Sequence, residues 1–324
     1  GEIKKLLILE VLPKPINFSG MMDPITAHSS YFIYRIMGTV PVEPDGSAYF
    51  DVPALRPLFF VALDEKGLSV KRMQSFVNVM PGEVSSCVGC HEARTRGPEA
   101  IDTAALAAVM RPPSRIEPLD GVPEIIDFPR DIQPILDRHC VRCHNYEKFA
   151  GKQALVGDRG PMFSNSYAKL MWGGYVSHCK NGRGNRPPRD IGSSASKLIQ
   201  KISDGHHGVK LSEREFRMLC AWIDAGGPYP GTYASLGTGV VDIKADRDVL
   251  ERRCNVCHDE MSFRWKDNKG PCMLVHWRDL GCFDHYFNLC RPEKSLLLLA
   301  PLAREAGGLG LCVQEDRAVF ADRD

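Results

Sequence analysis

Apolar positions in the first eighty residues fall in short runs separated by turn residues. Lys5 to Leu12, Tyr31 to Val42, Ala48 to Val52 and Leu58 to Leu63 carry strand formers. Asp45-Gly46-Ser47 and Asp64-Glu65-Lys66-Gly67 punctuate them. Short strands with turn signals at this spacing predict a small β-sandwich. From residue 128 the period becomes helical. Asp131 is placed to cap a helix running to His139, with Ile132, Ile135 and Leu136 on one face. Ser212-Glu213-Arg214-Glu215 is a capping box, in which a serine hydroxyl and a glutamate three residues on satisfy each other's backbone N–H groups. It opens a helix with Phe216, Leu219, Cys220 and Ile223 on one stripe, and Gly226-Gly227-Pro228 ends it. Ala245 to Cys254 repeats the pattern of Asp131 to Cys140 in degenerate form. Prolines 112, 113, 118 and 123 mark a connector, with one short helix expected over Thr103 to Met110.

These patterns, with a C-x-x-C-H run directly after each of the two helix patterns, at 140–144 and 254–258, predict an α+β chain: an N-terminal small β-sandwich-like domain followed by two mainly α-helical cytochrome c-like domains. The expected boundaries are 1–94 for the β-rich domain, 95–127 for the Pro-rich connector, 128–236 for the first helical domain and 237–324 for the second.

Composition changes the picture at one point, the 12 cysteines. Six of them form three C-x-x-C-H runs: Cys87, Cys90 and His91; Cys140, Cys143 and His144; Cys254, Cys257 and His258. This is the attachment pattern of haem c. Two thiols three residues apart lie on one face of a helical turn and reach the two vinyl groups of a porphyrin. The imidazole that follows then meets the iron. Zinc ribbons pair their C-x-x-C runs about 15–20 residues apart, whereas these runs begin at 87, 140 and 254. Three covalently attached haem c groups are therefore expected. Covalent haem attachment takes place outside the cytoplasmic membrane, so an exported, periplasmic or extracellular protein is expected. The other cysteines suit an oxidising compartment. Cys272, Cys282, Cys290 and Cys312 are candidates for two disulfides and Cys179 with Cys220 for a third; Cys220 also reads as a small buried core residue.

Charge excludes some partners. Lys+Arg 41 against Asp+Glu 40 leaves a net charge of +1, which gives no basic surface for a nucleic-acid backbone. No apolar run approaches the ~18 residues of a membrane-spanning helix, so no transmembrane segment is expected. Redox partner proteins are the expected partners, with a homo-oligomer or filament as an alternative assembly.

The stretch Gly38-Thr-Val-Pro-Val-Glu-Pro-Asp-Gly-Ser-Ala-Tyr-Phe50, the Leu63-Asp-Glu-Lys-Gly67 turn and Pro81-Gly-Glu83 before Ser86-Cys-Val-Gly-Cys-His-Glu92 resemble the hydrazine synthase alpha subunit family. Asp131 to His144, Gly205 to Ser212, and Arg291 to Leu296 with Gly310-Leu311-Cys312 continue the resemblance. The synthase pattern implies a tyrosine ligand a few residues past the first motif. Here Glu92-Ala93-Arg94-Thr95-Arg96 follows His91, with no tyrosine, which favours His91 as a conventional proximal ligand.

The second axial ligand decides function, because an iron with protein ligands on both faces carries electrons and one with an open face binds small molecules. His206 is the candidate for the second haem, with His207 as alternative; the resemblance aligns His206 with a family histidine. His285 is the candidate for the third, again aligned by the resemblance, with His276 as alternative. His28 is the upstream candidate for the first haem, with His178 as alternative. His139 adjoins Cys140 and reads as a surface or packing residue. Arg94, Arg96, Arg142, Arg183, Arg186 and Arg189 are candidates for the haem propionates. The expectation is a triheme electron-transfer cytochrome. The alternatives are a polymeric haem filament subunit, or a haem oxidoreductase acting on small nitrogen compounds at an open first haem.

Overall fold

The computed structural model describes residues 1–15, 25–27, 32–73, 75–88, 102–177, 186–235, 241, 286–314, 317–318 and 320–321. It divides into two compact units. Unit 1 comprises residues 1–142 and 170–236, and unit 2 comprises 143–169 and 237–324.

Unit 1 is built on one antiparallel sheet of strands β1 (Lys5–Val11), β2 (Tyr34–Pro41), β3 (Leu58–Leu63) and β4 (Ser69–Arg72), in the order β2-β1-β3-β4. β1 is central, and Leu7, Ile8 and Leu9 are all fully buried. Ile8 pairs with Phe60 and packs with Val40 and Leu58 on one face, against Phe50, Val52, Val77 and Ile116. On the other face the Arg72 guanidinium lies 4.5 Å from the ring centre of Phe59 and 5.6 Å from that of Tyr34. Glu10, buried in β1, is paired with Arg35 at 3.2 Å and Arg56 at 2.6 Å.

The helical part that follows the sheet touches its edge strand β4, where Ser69 N donates to Ser193 Oγ at 2.9 Å and Arg72 Nη1 to Asp224 O at 2.6 Å. Helix α1 (Gln133–His139) follows a wide turn at Phe128–Ile132. The expected cap at Asp131 is displaced to Asp127, whose carboxylate accepts from Arg130 N, while Asp131 reaches back to Asp127 N at 2.8 Å. The two pyrrolidine rings, Pro129 and Pro134, explain the early start, since proline is tolerated only in a first turn. Helix α2 spans Asn165–Trp172 and α3 Lys197–Ser203. Helix α4 (Glu213–Asp224) has the expected capping box at Ser212 and Glu215. Leu219, Cys220 and Ile223 are buried as the stripe predicts. Trp222 and Asp224 are buried as well, because the last turn of α4 is surrounded on all sides. Gly226 and Gly227 at positive φ stop the helix, and Trp222 Nε1 donates to Pro228 O at 2.9 Å.

Two expectations change here. The β-region is a single sheet among the described residues, and Ala48–Val52 makes only a bridge, Phe50 with Ser114. The stretch read as a connector is hydrogen-bonded to that sheet. Thr39 and Glu117 exchange both backbone bonds at 2.8 and 2.9 Å, and Ile36 N donates to Glu124 O at 2.6 Å. Gly38 permits this approach: at φ +134° any Cβ there would stand 2.2 Å from Glu117 O. Prolines in the stretch cost no bonds the sheet needs, since they fall between the bonding residues. Only Thr103–Ala105 forms a helical turn of the helix expected there.

Unit 2 contains α5 (Leu296–Leu299) and a short antiparallel pair, β5 (Val313–Gln314) with β6 (Arg317–Ala318). The repeat of the helix-into-motif pattern at 245–254 lies outside the described residues. No helix among the described residues is long and apolar enough to cross a membrane.

Candidate functional site

The second C-x-x-C-H run is described in full. In unit 1, α1 delivers Cys140 as the residue that caps its C-terminus, where Cys140 N donates to Leu136 O at 2.8 Å. Burial, and secondarily the negative Asp137, push the Cys140 thiol up to about 11. A thiol so placed stays protonated at neutral pH until a bound metal or a covalent bond replaces the proton.

In unit 2, Cys143 and His144 begin a tight loop. Ala150 N donates to Cys143 O at 3.2 Å, and Leu155 N to His144 O at 2.8 Å. The His144 Nδ1 stands 2.9 Å from Ala150 O. A carbonyl oxygen only accepts, so Nδ1 carries the hydrogen, and in the neutral ring the lone pair is on Nε2. Histidines that bind metals are held in this way, with the distal ring nitrogen fixed by a backbone carbonyl and the other free to coordinate. Gly151 at φ +61° turns the loop beneath the ring, where an added Cβ would come within 4.0 Å of His144 Cε1.

His206 and His207 sit in unit 1 in a single helical turn between α3 and α4, their rings edge to face at 4.5 Å. His206 is half-buried and His207 exposed. His139 Nε2 lies 3.1 Å from Glu215 Oε1, a packing role as expected. Cys87 is exposed at the end of the described β-region. Cys90, His91, Cys254, Cys257, His258, His28 and His285 lie outside the described residues, as do the alternatives His178 and His276.

One expectation is not met among the described residues: none of Cys87, Cys140, Cys143, Cys220, Cys290 and Cys312 is disulfide-bonded, while Cys179, Cys272 and Cys282 lie outside the described residues, as do Arg94, Arg96 and Arg183. Cys220 is 4% exposed within α4 and takes the other role considered for it, a small core residue whose thiol is pushed up chiefly by burial. Of the arginines considered for propionates, Arg189 is occupied by Glu2 and Asp64, and Arg186 by Asp190. Arg142 is exposed. Among the described residues no three His, Cys, Asp or Glu side chains gather as a metal-holding group.

Sequence reasoning did not single out Asn288, a fully engaged amide in unit 2 that is 2% exposed. Its position beside the Arg291-Pro292-Glu293-Lys294 run was the available signal.

Residues 1–92 match the family model of the hydrazine synthase alpha subunit middle domain. No curated protein is matched. Among solved structures, Kuenenia stuttgartiensis hydrazine synthase superposes with a TM-score of 0.53 at 19% identity, over 72% of this chain and 40% of that one. The likeness at that identity is one of fold, and the chain spans well under half the length of the matched chain. The four-stranded sheet of unit 1 and the Pro81-Gly82-Glu83 approach to Cys87 fall within the residues that match the hydrazine synthase alpha subunit middle domain, and it is this segment that is similar to that family.

Proposed function

We propose that this chain is an exported c-type cytochrome that carries electrons through covalently bound haem. Cys140 and Cys143 hold one haem with His144 as axial ligand. Cys87, Cys90 and His91, and Cys254, Cys257 and His258, hold two more. His206, His285 and His28 are the second axial ligands on this reading. The haem supplies one-electron redox chemistry, and the protein supplies attachment, ligation and shielding. The observation that carries the reading is the His144 Nδ1 to Ala150 O contact of 2.9 Å, which leaves Nε2 as the ligating nitrogen immediately after the two thiols. The test is a haem count on protein exported by a host with a haem-attachment system. Pyridine haemochrome analysis and intact mass should give three haems per chain, falling by one in Cys140→Ala/Cys143→Ala. A chain that leaves the host without covalent haem would overturn the reading.

A second reading is favoured by the match of residues 1–92 to the hydrazine synthase middle domain. It makes the first haem an oxidoreductase centre with an open face for small nitrogen compounds. Cyanide or nitric oxide shifting the Soret band of one haem would support it, and three unresponsive haems would remove it. Redox partner proteins are the partners under the first reading. Size measurement on the native protein distinguishes a soluble carrier from a homo-oligomer or filament.

A further inference from the structure

Two residues beyond His144 the chain buries Tyr146, which is 4% exposed. Its hydroxyl donates to Asn165 Oδ1 at 3.1 Å and accepts from Asn288 Nδ2 at 3.0 Å. The other amide hydrogen of Asn288 goes to Asp158 Oδ2. Asn288 Oδ1 accepts from Cys290 N at 3.0 Å and Arg291 N at 2.7 Å. A side-chain amide has two hydrogens and two lone pairs, so every bonding position of Asn288 is filled. Arg291 closes the cluster: Nε and Nη2 reach Asp158 Oδ2 at 2.8 and 2.7 Å, and its guanidinium lies 5.5 Å from the centre of the Tyr146 ring. Ser295 Oγ accepts the Asn288 backbone N–H at 3.0 Å. At the buried centre of the cluster, Tyr146, Asn165 and Asn288, a network satisfied this fully admits one arrangement, because any slip strands a group away from water.

The cluster joins two distant stretches of sequence. One is the loop that carries His144 and is tied to it through Leu155 and Ala150. The other begins at Asn288, three residues after His285. We propose that Asn288 and Arg291 are positioning residues for His144: by clamping Tyr146 and Asp158 they fix the loop on which the imidazole is oriented. The segment next to the third haem motif's proposed ligand thereby sets the ligand field of the second haem. This rests on the reading of His144 as an axial ligand. Tyr146 itself is a clamp and not an electron relay. Both partners of its hydroxyl are amides, and an amide oxygen is too weak a base to take the phenol proton on oxidation.

The test uses the full-length, haem-loaded protein with Tyr146→Phe, Asn288→Ala, the double variant and Arg291→Lys. Optical redox titration and electron paramagnetic resonance read the haems separately. Tyr146→Phe should shift the reduction equilibrium of one haem about fivefold, the scale of one lost hydrogen bond, or about 40 mV at 59 mV per decade, and Asn288→Ala, which removes the Tyr146 bond and three others, should shift the same haem at least as far. The remaining haems should keep their midpoints and signals. The double variant should shift no more than Asn288→Ala alone, because the Asn288–Tyr146 contact is already lost in that single variant. Amide exchange over residues 144–155 should quicken in the same variants. Tyr146→Phe keeps the ring packing and carries the test if Asn288→Ala does not fold. Folded variants with every midpoint unchanged, a uniform shift of all haems, or additive singles would overturn the inference while leaving the haem reading intact. Absence of haem on the Cys140–Cys143 peptide of the wild type would overturn both.

Discussion

Replacing Glu215 by glutamine tests whether α4 anchors α1, the helix that leads into Cys140. Glu215 Oε2 accepts from Ser212 N at 2.9 Å and from Ser212 Oγ at 2.8 Å. Its Oε1 meets Arg138 Nη1 and lies 3.1 Å from His139 Nε2. One carboxylate thus caps α4 and grips the last two residues of α1. Burial by itself would raise its pKa; the Ser212 N–H, the Ser212 hydroxyl and His139 together outweigh burial and bring it from 4.5 to about 2. At about 1.4 kcal/mol per unit that difference is worth roughly 3 kcal/mol at neutral pH. Contact with solvent at the helix end reduces the figure to roughly 1–2 kcal/mol. The sign follows from the lowered folded pKa. The stabilisation is complete above 4.5, the unfolded value, and is lost as pH falls through about 2. Guanidinium unfolding of the full-length protein followed by circular dichroism should show Glu215→Gln less stable by about 1–2 kcal/mol at pH 7. The gap should close between pH 4.5 and 2. A gap that persists unchanged through that window, or no gap at pH 7, would refute the reasoning. Glu215→Ala should lose about 1 kcal/mol more, the worth of the cap itself.

Other outcomes follow from single contacts. Gly38→Ala places a Cβ 2.2 Å from Glu117 O at φ +134°, so it should lower stability by about 2 kcal/mol or more; a melting temperature within a degree of wild type would contradict the crossing. Asp224 accepts from Ser193 N at 2.8 Å and Ser193 Oγ at 2.7 Å in a fully buried position. Asp224→Ala should therefore cost about 2–3 kcal/mol by stranding those donors. Asp224→Asn, which retains an acceptor for Ser193 N and a donor for its hydroxyl, should cost much less, and equal losses in chemical denaturation would argue against the pairing. Cys220→Ala should leave haem content unchanged and lower stability by about 1 kcal/mol, since the thiol is core filling; loss of haem on mass analysis would reassign it.

Local signals in the chain determined the elements that local physics controls. The run Leu58–Leu63 is a strand at those same residues, and Lys5–Leu12 differs from β1 by one residue. Ser212 and Glu215 announced α4 because a capping box is complete within four residues. The C-x-x-C-H runs are legible as candidate haem-attachment sites because that pattern is complete within five consecutive residues. Long-range pairing was not legible in this way. The prolines around 111–123 read as a connector, yet Glu117 and Glu124 bond to β2, because a glycine at residue 38 lets a distant backbone approach to bonding distance. Asp131 looked like the cap, and the actual cap, Asp127, depends on a wide turn that only the packed Phe128 explains. Cys220 looked equally able to pair or to fill space until its burial in α4 decided. The clearest case is Asn288. As a lone asparagine in a polar stretch it carries no pattern, and its four hydrogen bonds come from Tyr146, Asp158 and two backbone amides assembled by tertiary packing. Sequence set what each short segment is chemically able to do; the fold decided which distant groups meet, because burial makes every unpaired polar group costly and so selects the one arrangement that pairs them.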